Sequence, residues 1–479
     1  MKGLVAILFY PNKGGSRLED LSNNDNSKKM NLFRKITDGL VNFMQKYLPS
    51  SFVLAIALAV VVFIVGILLT DTTPLEMVGF AGKGTFELLA FTMQMVLILV
   101  TGHALANSPI VLKLLRGLAR IPKNRVSAVA FTAFASYLAT YLHWGFGLVA
   151  GALLAKEIAT INYGKKIHYP ILVAAAYSGN LARGPSSSIF LGPTSAGHAA
   201  ESITGIIPLS DTLLMPENII MTIVLLIAIP VVYYFMTPSA EDSLEIDASI
   251  LENDRLEGVA AEKFHEESKA SATFADKMDN SKILLYLFTA ILFVYTFIYF
   301  LEIGFLGLDI NTIILIFLVL GLFAHGTPNR YAKALKSATA TADSMILQFP
   351  IYAAIMVMLR DTGMASSISD FFIEVSTATT LPLYTFFSSS LINLFIPSGG
   401  GLWAIQGPIA LEAAVKLNAS VEATMVGLAW GDTWSSQIQP FWALPLLAIA
   451  GLDVKDIMGY CAMIFFVSGI IISGFLLIM

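Results

Sequence analysis

Apolar runs of roughly 20 residues recur along most of this chain, and that is the length of helix needed to cross a bilayer core. They fall at 52–70, 86–106, 126–142, 144–160, 169–190, 218–236, 283–301, 309–325, 343–359, 381–396, 402–415, 421–450 and 457–478. Only 13% of the 479 residues are charged, against roughly 25% in globular domains. The runs lack the alternation of an outer-membrane barrel. The sequence predicts an all-α polytopic membrane protein in contact with a lipid bilayer.

The net charge of -5 is uneven. Twelve acidic and four basic residues lie between Glu241 and Asp279, so the acidity belongs to one soluble linker and argues for no particular partner, nucleic acid included. The single cysteine, Cys461, excludes an intrachain disulfide, and no spacing suggests a metal site. Met1–Tyr10 is too short for a signal peptide. Residues 11–29 look disordered, Met30 is an alternative start, and Asn31–Leu48 reads as a basic amphipathic helix on the inner membrane surface.

Lys and Arg concentrate in cytoplasmic loops, so they orient the chain. Lys28, Lys29, Arg34, Lys35 and Lys46 put the N-terminus inside. The basic loops at 107–125, near Lys165, around Arg330 and at Lys455 are inside as well, which leaves the C-terminus outside. Residues 1–51 are then a cytoplasmic segment and 52–237 a first transmembrane repeat. An acidic cytoplasmic linker follows at 238–282, then a connecting helix at 283–301 and a second repeat at 302–479. The repeat is legible in two glycine patches. Gly399 follows Gly145 by 254 positions, and Gly431 follows Gly179 by 252. Each half has two spans, a hairpin, a broken span and a last span. The connecting helix flips the second half, giving two inverted-topology repeats, each with a re-entrant hairpin and a broken helix.

Irregular backbone at membrane depth is tolerated only where protein or a water-filled cavity lines it, so the interruptions are the candidate site. The second-half patches are Pro397-Ser398-Gly399-Gly400-Gly401 and Gly431-Asp432-Thr433-Trp434-Ser435-Ser436-Gln437. Three glycines allow φ > 0 and a close approach of backbone N–H groups to an anion; the plainer reading is a tight packing turn. Asp432 is the candidate for a coupling ion, Na⁺ or H⁺, because a buried carboxylate needs a partner; it could equally cap a half-helix. The first-half counterparts are His143-Trp144-Gly145-Phe146-Gly147 and Tyr177-Ser178-Gly179-Asn180 followed by Arg183-Gly184-Pro185-Ser186-Ser187-Ser188. His143 could bind substrate or carry the coupling proton, or simply bond a backbone carbonyl. Arg183 could meet a substrate carboxylate, but a structural role on helix carbonyls or at the interface is favoured. The expected substrate-binding set is His143, Trp144, Gly145, Gly147, Ser178, Gly179, Asn180, Ser398, Gly399, Gly400, Gly401, Thr433, Trp434 and Gln437. Asp432 and His143 are the ion-coupling candidates.

At these residues the chain resembles a known family. Phe386-Phe387-Ser388-Ser389, Leu391-Ile392-Asn393, Pro397 to Gly401, Ile405-Gln406-Gly407-Pro408, Gln439 to Pro445 and Asp456 to Tyr460 carry the likeness. So do Met93-Gln94-Met95, Thr101 to Ala106 and Trp144 to Val149. Together, from about residue 34 to the end, they resemble the bacterial short-chain fatty acid transporters, placed in the ion-transporter superfamily. The resemblance implies acetoacetate, butyrate or a similar acid as substrate, the inverted-repeat fold, and a homodimer. Three positions depart from the family pattern: His143 in place of Asn, the stretch Leu181 to Ser188, and Asp432 in place of Glu.

The expected function is a cation-coupled secondary transporter of short-chain monocarboxylates in the cytoplasmic membrane. The substrate's alkyl tail is expected on Trp144, Phe146 or Trp434. The alternative is a transporter of another small organic anion: a dicarboxylate, hydroxy acid or keto acid. No cofactor is expected, and no enzyme activity. No nucleotide-binding loop occurs in the sequence, and Ser195 near His198 lacks the surroundings of a hydrolase elbow.

Overall fold

Local capping chemistry sets where the helices begin. Thr73 and Glu76 form a reciprocal capping box ahead of Pro74, and Asn124 and Ser127 form another. Ser420 and Asp309 cap through their side-chain oxygens. Gly326 and Gly451, both left-handed, end two helices.

The structure, a computed structural model, describes residues 51–250, 273–304, 308–340, 342–393 and 399–479. The regular elements among them are all helical. The first half holds α1 (Ser51–Leu69), α2 (Pro74–Gly84), α3 (Leu89–Ala106), α4 (Pro109–Leu118), α5 (Arg125–Leu142), α6 (Trp144–Ile161), α7 (Tyr169–Tyr177) and α8 (Pro216–Met236). Then come α9 (Lys282–Ile303), α10 (Ile310–His325), α11 (Pro328–Thr339), α12 (Asp343–Asp361), α13 (Met364–Val375) and α14 (Leu381–Asn393). The chain ends with α15 (Gly399–Leu417), α16 (Val421–Ser436), α17 (Pro440–Ala450) and α18 (Val454–Leu476). Five helical stretches of described residues are long and apolar enough to cross a membrane: Leu89–Ala106, Trp144–Ile161, Pro216–Met236, Phe274–Ile303 and Val454–Leu476.

Each predicted span coincides with a helix to within a few residues at its start. The sequence reading missed α2, α4, α11 and α13, which it left as loops. They are 10 to 12 residues long, too short to span a bilayer, and α4, α11 and α13 mix polar with apolar positions. With them included, α1 to α7 recur in order as α10 to α16, their first residues 252 to 259 positions apart.

The halves interlock. In the first half, α3 packs on α10 and α11; in the second, α12 packs on α1 and α2. Likewise α17 packs on α6 and α7, while the short helix Ser188–Leu191 packs on α15 and α16. Hydrogen bonds fasten the crossing: Trp430 Nε1 donates to Asn218 Oδ1 at 2.8 Å, and the Tyr169 hydroxyl to the Ala450 carbonyl at 2.8 Å. All nine residues of α7 are buried, as is most of α16. By contrast α9 buries only Leu285 and Thr289, so its apolar surface faces outward nearly all round.

Two sequence expectations need correction. Residues Gly431 to Ser436 do not interrupt the helix; α16 runs through them and breaks at 437–439, before Pro440. The Ser435 and Ser436 hydroxyls bond back to the carbonyls of Gly431 and Asp432 and so keep the turn satisfied. Nor do Gly399, Gly400 and Gly401 adopt positive φ, for they form the first turn of α15. They are small because neighbours are close: a Cβ on Gly400 would lie 2.9 Å from the Phe349 ring. The N-terminal amphipathic helix, the alternative start, residues 251–272 of the acidic linker, Pro397 and Ser398 lie outside the described residues.

Candidate functional site

The two breaks meet face to face. In the first half α7 tightens into a 3-10 turn, Ser178–Leu181, and the chain then runs extended from Ala182. Pro185 disfavours helix at Gly184, and a Cβ on Gly184 would collide with the Tyr141 carbonyl. Ser186 Oγ accepts from the Trp144 N–H at 2.9 Å, tying this break to the start of α6. In the second half, Asn393 of α14 donates to the Asp432 carbonyl at 2.7 Å and to Ser435 Oγ at 2.9 Å. Hydrogen bonds tie the first break to α16 and its end: Thr433 Oγ1 donates to the Asn180 carbonyl at 2.6 Å, and the Tyr177 hydroxyl to the Ser436 carbonyl at 2.5 Å.

Between them lies a cavity of about 40 Å³, lined by both halves. Trp144, Asn180, Arg183, Ser187 and Ser188 come from the first breaks, with Met95 from α3. Phe349 of α12, Gly399 and Gly400 of α15, Asp432, Ser436 and Trp442 come from the second half. The volume suffices for a few waters, which need roughly 10–15 Å³ each on this measure. The lining mixes polar groups with aromatic rings, among them Trp144 and Trp442 edge to face at a centroid distance of 5.6 Å.

The charges in the cavity form a pair. The Arg183 guanidinium donates to Asp432 Oδ2 through one Nη and to the Ala429 carbonyl through Nε at 3.3 Å. Both side chains are buried. Neither charge would be tolerable there alone: breaking a buried pair costs about 3–5 kcal/mol.

Five residues of the expected set line the cavity: Trp144, Asn180, Gly399, Gly400 and Asp432. Ser398 lies outside the described residues, and the others are not among the lining. His143 is the single extended residue between α5 and α6, and its Nδ1 accepts from the Phe146 N–H at 3.2 Å. Its ring packs against Phe317, 4.0 Å between centroids. Gly145, Gly147 and Gly179 are points of close helix approach, facing Leu99, Thr140 and Ser136. Ser178 shares a 2.5 Å hydrogen bond with Tyr233. Gly401 is buried in α15, outside the lining. Thr433 joins the halves as described. Trp434 is engaged away from the cavity, stacked on Phe465 at 3.9 Å with its Nε1 donating to the Phe465 carbonyl. Gln437 is fully buried and neither side-chain polar atom has a partner among the described residues.

The expected binding set omits Met95, Ser187, Ser188, Phe349, Ser436 and Trp442, and the sequence favours a structural role for Arg183. One signal was available. The 254-residue offset that relates the glycine patches carries Met95 onto Phe349, and the 252-residue offset carries Asn180 onto Asp432.

The profile of a family described as short chain fatty acid transporter matches residues 32–479. A protein of Escherichia coli K12, named provisionally as a short-chain fatty acid transporter, is 40% identical over 439 residues, covering 91% of this chain and 98% of that protein. A Haemophilus influenzae Rd protein of the same provisional name is 38% identical, covering 90% and 96%. Among solved structures, the Alcanivorax borkumensis YdaH transporter aligns with a TM-score of 0.53 at 14% identity, over 90% of this chain and 98% of that one. Neisseria gonorrhoeae MtrF aligns at 0.48 and 14% identity, over 92% and 97%.

Proposed function

Because the chain belongs to the short-chain fatty acid transporter family, a family of multi-pass membrane transporters, we propose that it is a secondary transporter of short-chain monocarboxylates such as butyrate or acetoacetate. On this reading the cytoplasmic membrane holds it with the N-terminus inside and the C-terminus outside. Uptake is coupled to a cation, Na⁺ or H⁺, and the working unit is a homodimer. The halves are inverted repeats, with α5–α6 and α14–α15 entering from opposite sides as re-entrant hairpins and carrying the site near mid-membrane.

The observation that carries the reading is the make-up of the cavity. Among the described residues its lining has one cationic side chain, Arg183, and it includes the N-terminal end of the 19-residue α15, the positive pole of that helix's dipole. The same lining includes the apolar side chains of Met95, Phe349, Trp144 and Trp442. One positive group beside an apolar wall matches one carboxylate on a short alkyl chain. A dicarboxylate would bring a second charge with no second cation among the described lining residues to meet it.

The test is uptake of labelled butyrate and acetoacetate into proteoliposomes. Protein-free liposomes are run alongside to subtract passive leak of the undissociated acid. Saturable uptake, competed by other short monocarboxylates, is expected. No saturable component above the protein-free control would refute the reading, and stronger competition by a dicarboxylate or hydroxy acid would move the substrate to that class.

A further inference from the structure

The cavity is neutral as it stands, with one guanidinium and one carboxylate from opposite halves. Arg183 is the charged group acting on Asp432, and Arg183 itself faces Asp432 and the Tyr137 hydroxyl of α5. Other charges on elements packed against α16 lie elsewhere. Glu412 and Lys416 of α15 pair with each other, and Asp211 of the turn Leu209–Thr212 shares a separate hollow with Glu422. Asp456 sits in the first turn of α18. Tyr177 is bonded to the Ser436 and Gln439 carbonyls, and Cys461 lies beside Tyr177.

This neutrality restricts what can enter. A carboxylate arriving alone would put two anions against one guanidinium. A proton arriving alone on Asp432 would strip Arg183 of its partner. Each leaves an uncompensated buried charge, which is costly. A carboxylate and a proton arriving together leave the site neutral again.

We propose that Arg183 anchors the substrate carboxylate and that Asp432 yields it only when protonated, so that each carboxylate crosses with one proton. This rests on the carboxylate-transport reading above and adds the identity of the coupling ion. In the loading step one proton binds Asp432 and its charge-assisted bond to Arg183 breaks; the substrate carboxylate then takes the same N–H donors. On release the carboxylate leaves, the proton leaves Asp432, and the original pair re-forms. Empty and loaded sites are both neutral, and the cycle moves no net charge.

The experiment uses the full chain in proteoliposomes with labelled acetoacetate. Wild-type accumulation should follow an imposed pH gradient, acid outside, and ignore both a potassium diffusion potential and a sodium gradient. The counterflow KM should rise with pH as Asp432 loses its proton. Asp432→Asn imitates the protonated state. It should lose gradient-driven accumulation yet keep counterflow, with a KM below wild type that no longer changes with pH. Acetoacetate should also raise its melting temperature more than it raises that of wild type, because the anion supplies the missing partner of Arg183. Asp432→Glu should recover coupling. A purely structural role for Asp432 would neither lower KM nor remove its pH dependence.

Accumulation driven by sodium at uniform pH, or normal pH-driven accumulation by Asp432→Asn, would overturn the proposal. If Asp432→Asn does not reach the membrane, the wild-type responses to pH, potential and sodium still decide. Wild-type counterflow separates the two ideas. Its absence removes the carboxylate reading and the proposal together, whereas counterflow combined with sodium-driven accumulation removes the proposal alone.

Discussion

Gly179 and Gly431 occupy matching places in the two halves, and each lets its broken helix press on a serine of the preceding helix pair: Ser136 in α5, Ser389 in α14. Those serines are themselves 253 positions apart. Beyond the glycines the halves diverge. The first chain leaves the α conformation at Ser178 and runs extended from Ala182, under the influence of Gly184 and Pro185. The second stays helical to Ser436 and breaks only before Pro440. The matching glycines thus set where the helices approach, and local residues determine where each one ends. The difference has a consequence for charge. Arg183 lies on the extended segment, free of helical register, and reaches across to Asp432, whose own repeat partner is Asn180.

The sharpest way to break this comparison is to remove one charge. Arg183→Gln leaves Asp432 buried without its cation, and the expected loss is about 3–5 kcal/mol, read as a fall in melting temperature of the purified protein. Asp432→Asn should cost a similar amount in the absence of substrate. The double variant should be more stable than either single one, because no unpaired charge remains. Simple additivity of the two losses would show that the pair is not coupled.

The matching glycines should respond alike. Gly431→Val would drive methyl groups into the Ser389 hydroxyl and the Phe386 carbonyl, and Gly179→Val into the Ser136 backbone. Overpacking of this kind costs about 1–3 kcal/mol, sometimes more. Both variants should lower the yield of monodisperse protein in detergent. Gly459→Ala, with nothing near its Cβ position, serves as the tolerated control. A large loss for one glycine and none for the other would mean that the two contacts are not equivalent.

A smaller effect is expected at the bond from α16 to the first break. Thr433→Val keeps the side-chain shape and removes the donor to the Asn180 carbonyl. One such bond is worth about 0.5–1.5 kcal/mol. A shift in melting temperature of a few degrees, with KM little changed, would mark Thr433 as a fastener between halves. A large rise in KM would place it in contact with substrate.

How much of this was legible in the sequence depends on the range of the interaction that decides it. Apolar length and capping residues act within a few positions, so the spans and many helix starts could be read directly. The glycine offset paired the two glycine patches, but the second lies inside an unbroken helix that ends only after Ser436. The Arg183–Asp432 pair joins residues 249 positions apart, and only the folded topology says that those two breaks face each other. The glycines of α15 were read as left-handed turn formers because three in a row permit that. What decides their use is the nearness of Phe349 and Asp432, which no local pattern encodes. The amphipathic α4, α11 and α13 are hard to read for a different reason: short and mixed in polarity, they carry no long apolar run.

The smallest expected effect compares the two hairpin starts. α15 opens on glycines that line the cavity, whereas α6 opens on His143, whose ring is held between Phe317 and the small residue Gly102. There Nδ1 accepts from the Phe146 N–H, which makes His143 the N-cap of α6. Asn caps a helix as well as any residue and fits in less space. His143→Asn should therefore cost only a few tenths of a kcal/mol, partly from the thinner packing on Phe317, while His143→Ala should cost about 1 kcal/mol through the lost cap. Uptake of labelled acetoacetate by His143→Asn should stay near wild type. Gly400→Ala should reduce it, because the added methyl crowds Phe349 at 2.9 Å and Met95 at 3.3 Å on the cavity wall. If His143→Asn folded normally and lost pH-driven accumulation while keeping counterflow, the coupling proton would reside on His143, and the two hairpin starts would have to exchange the roles assigned to them.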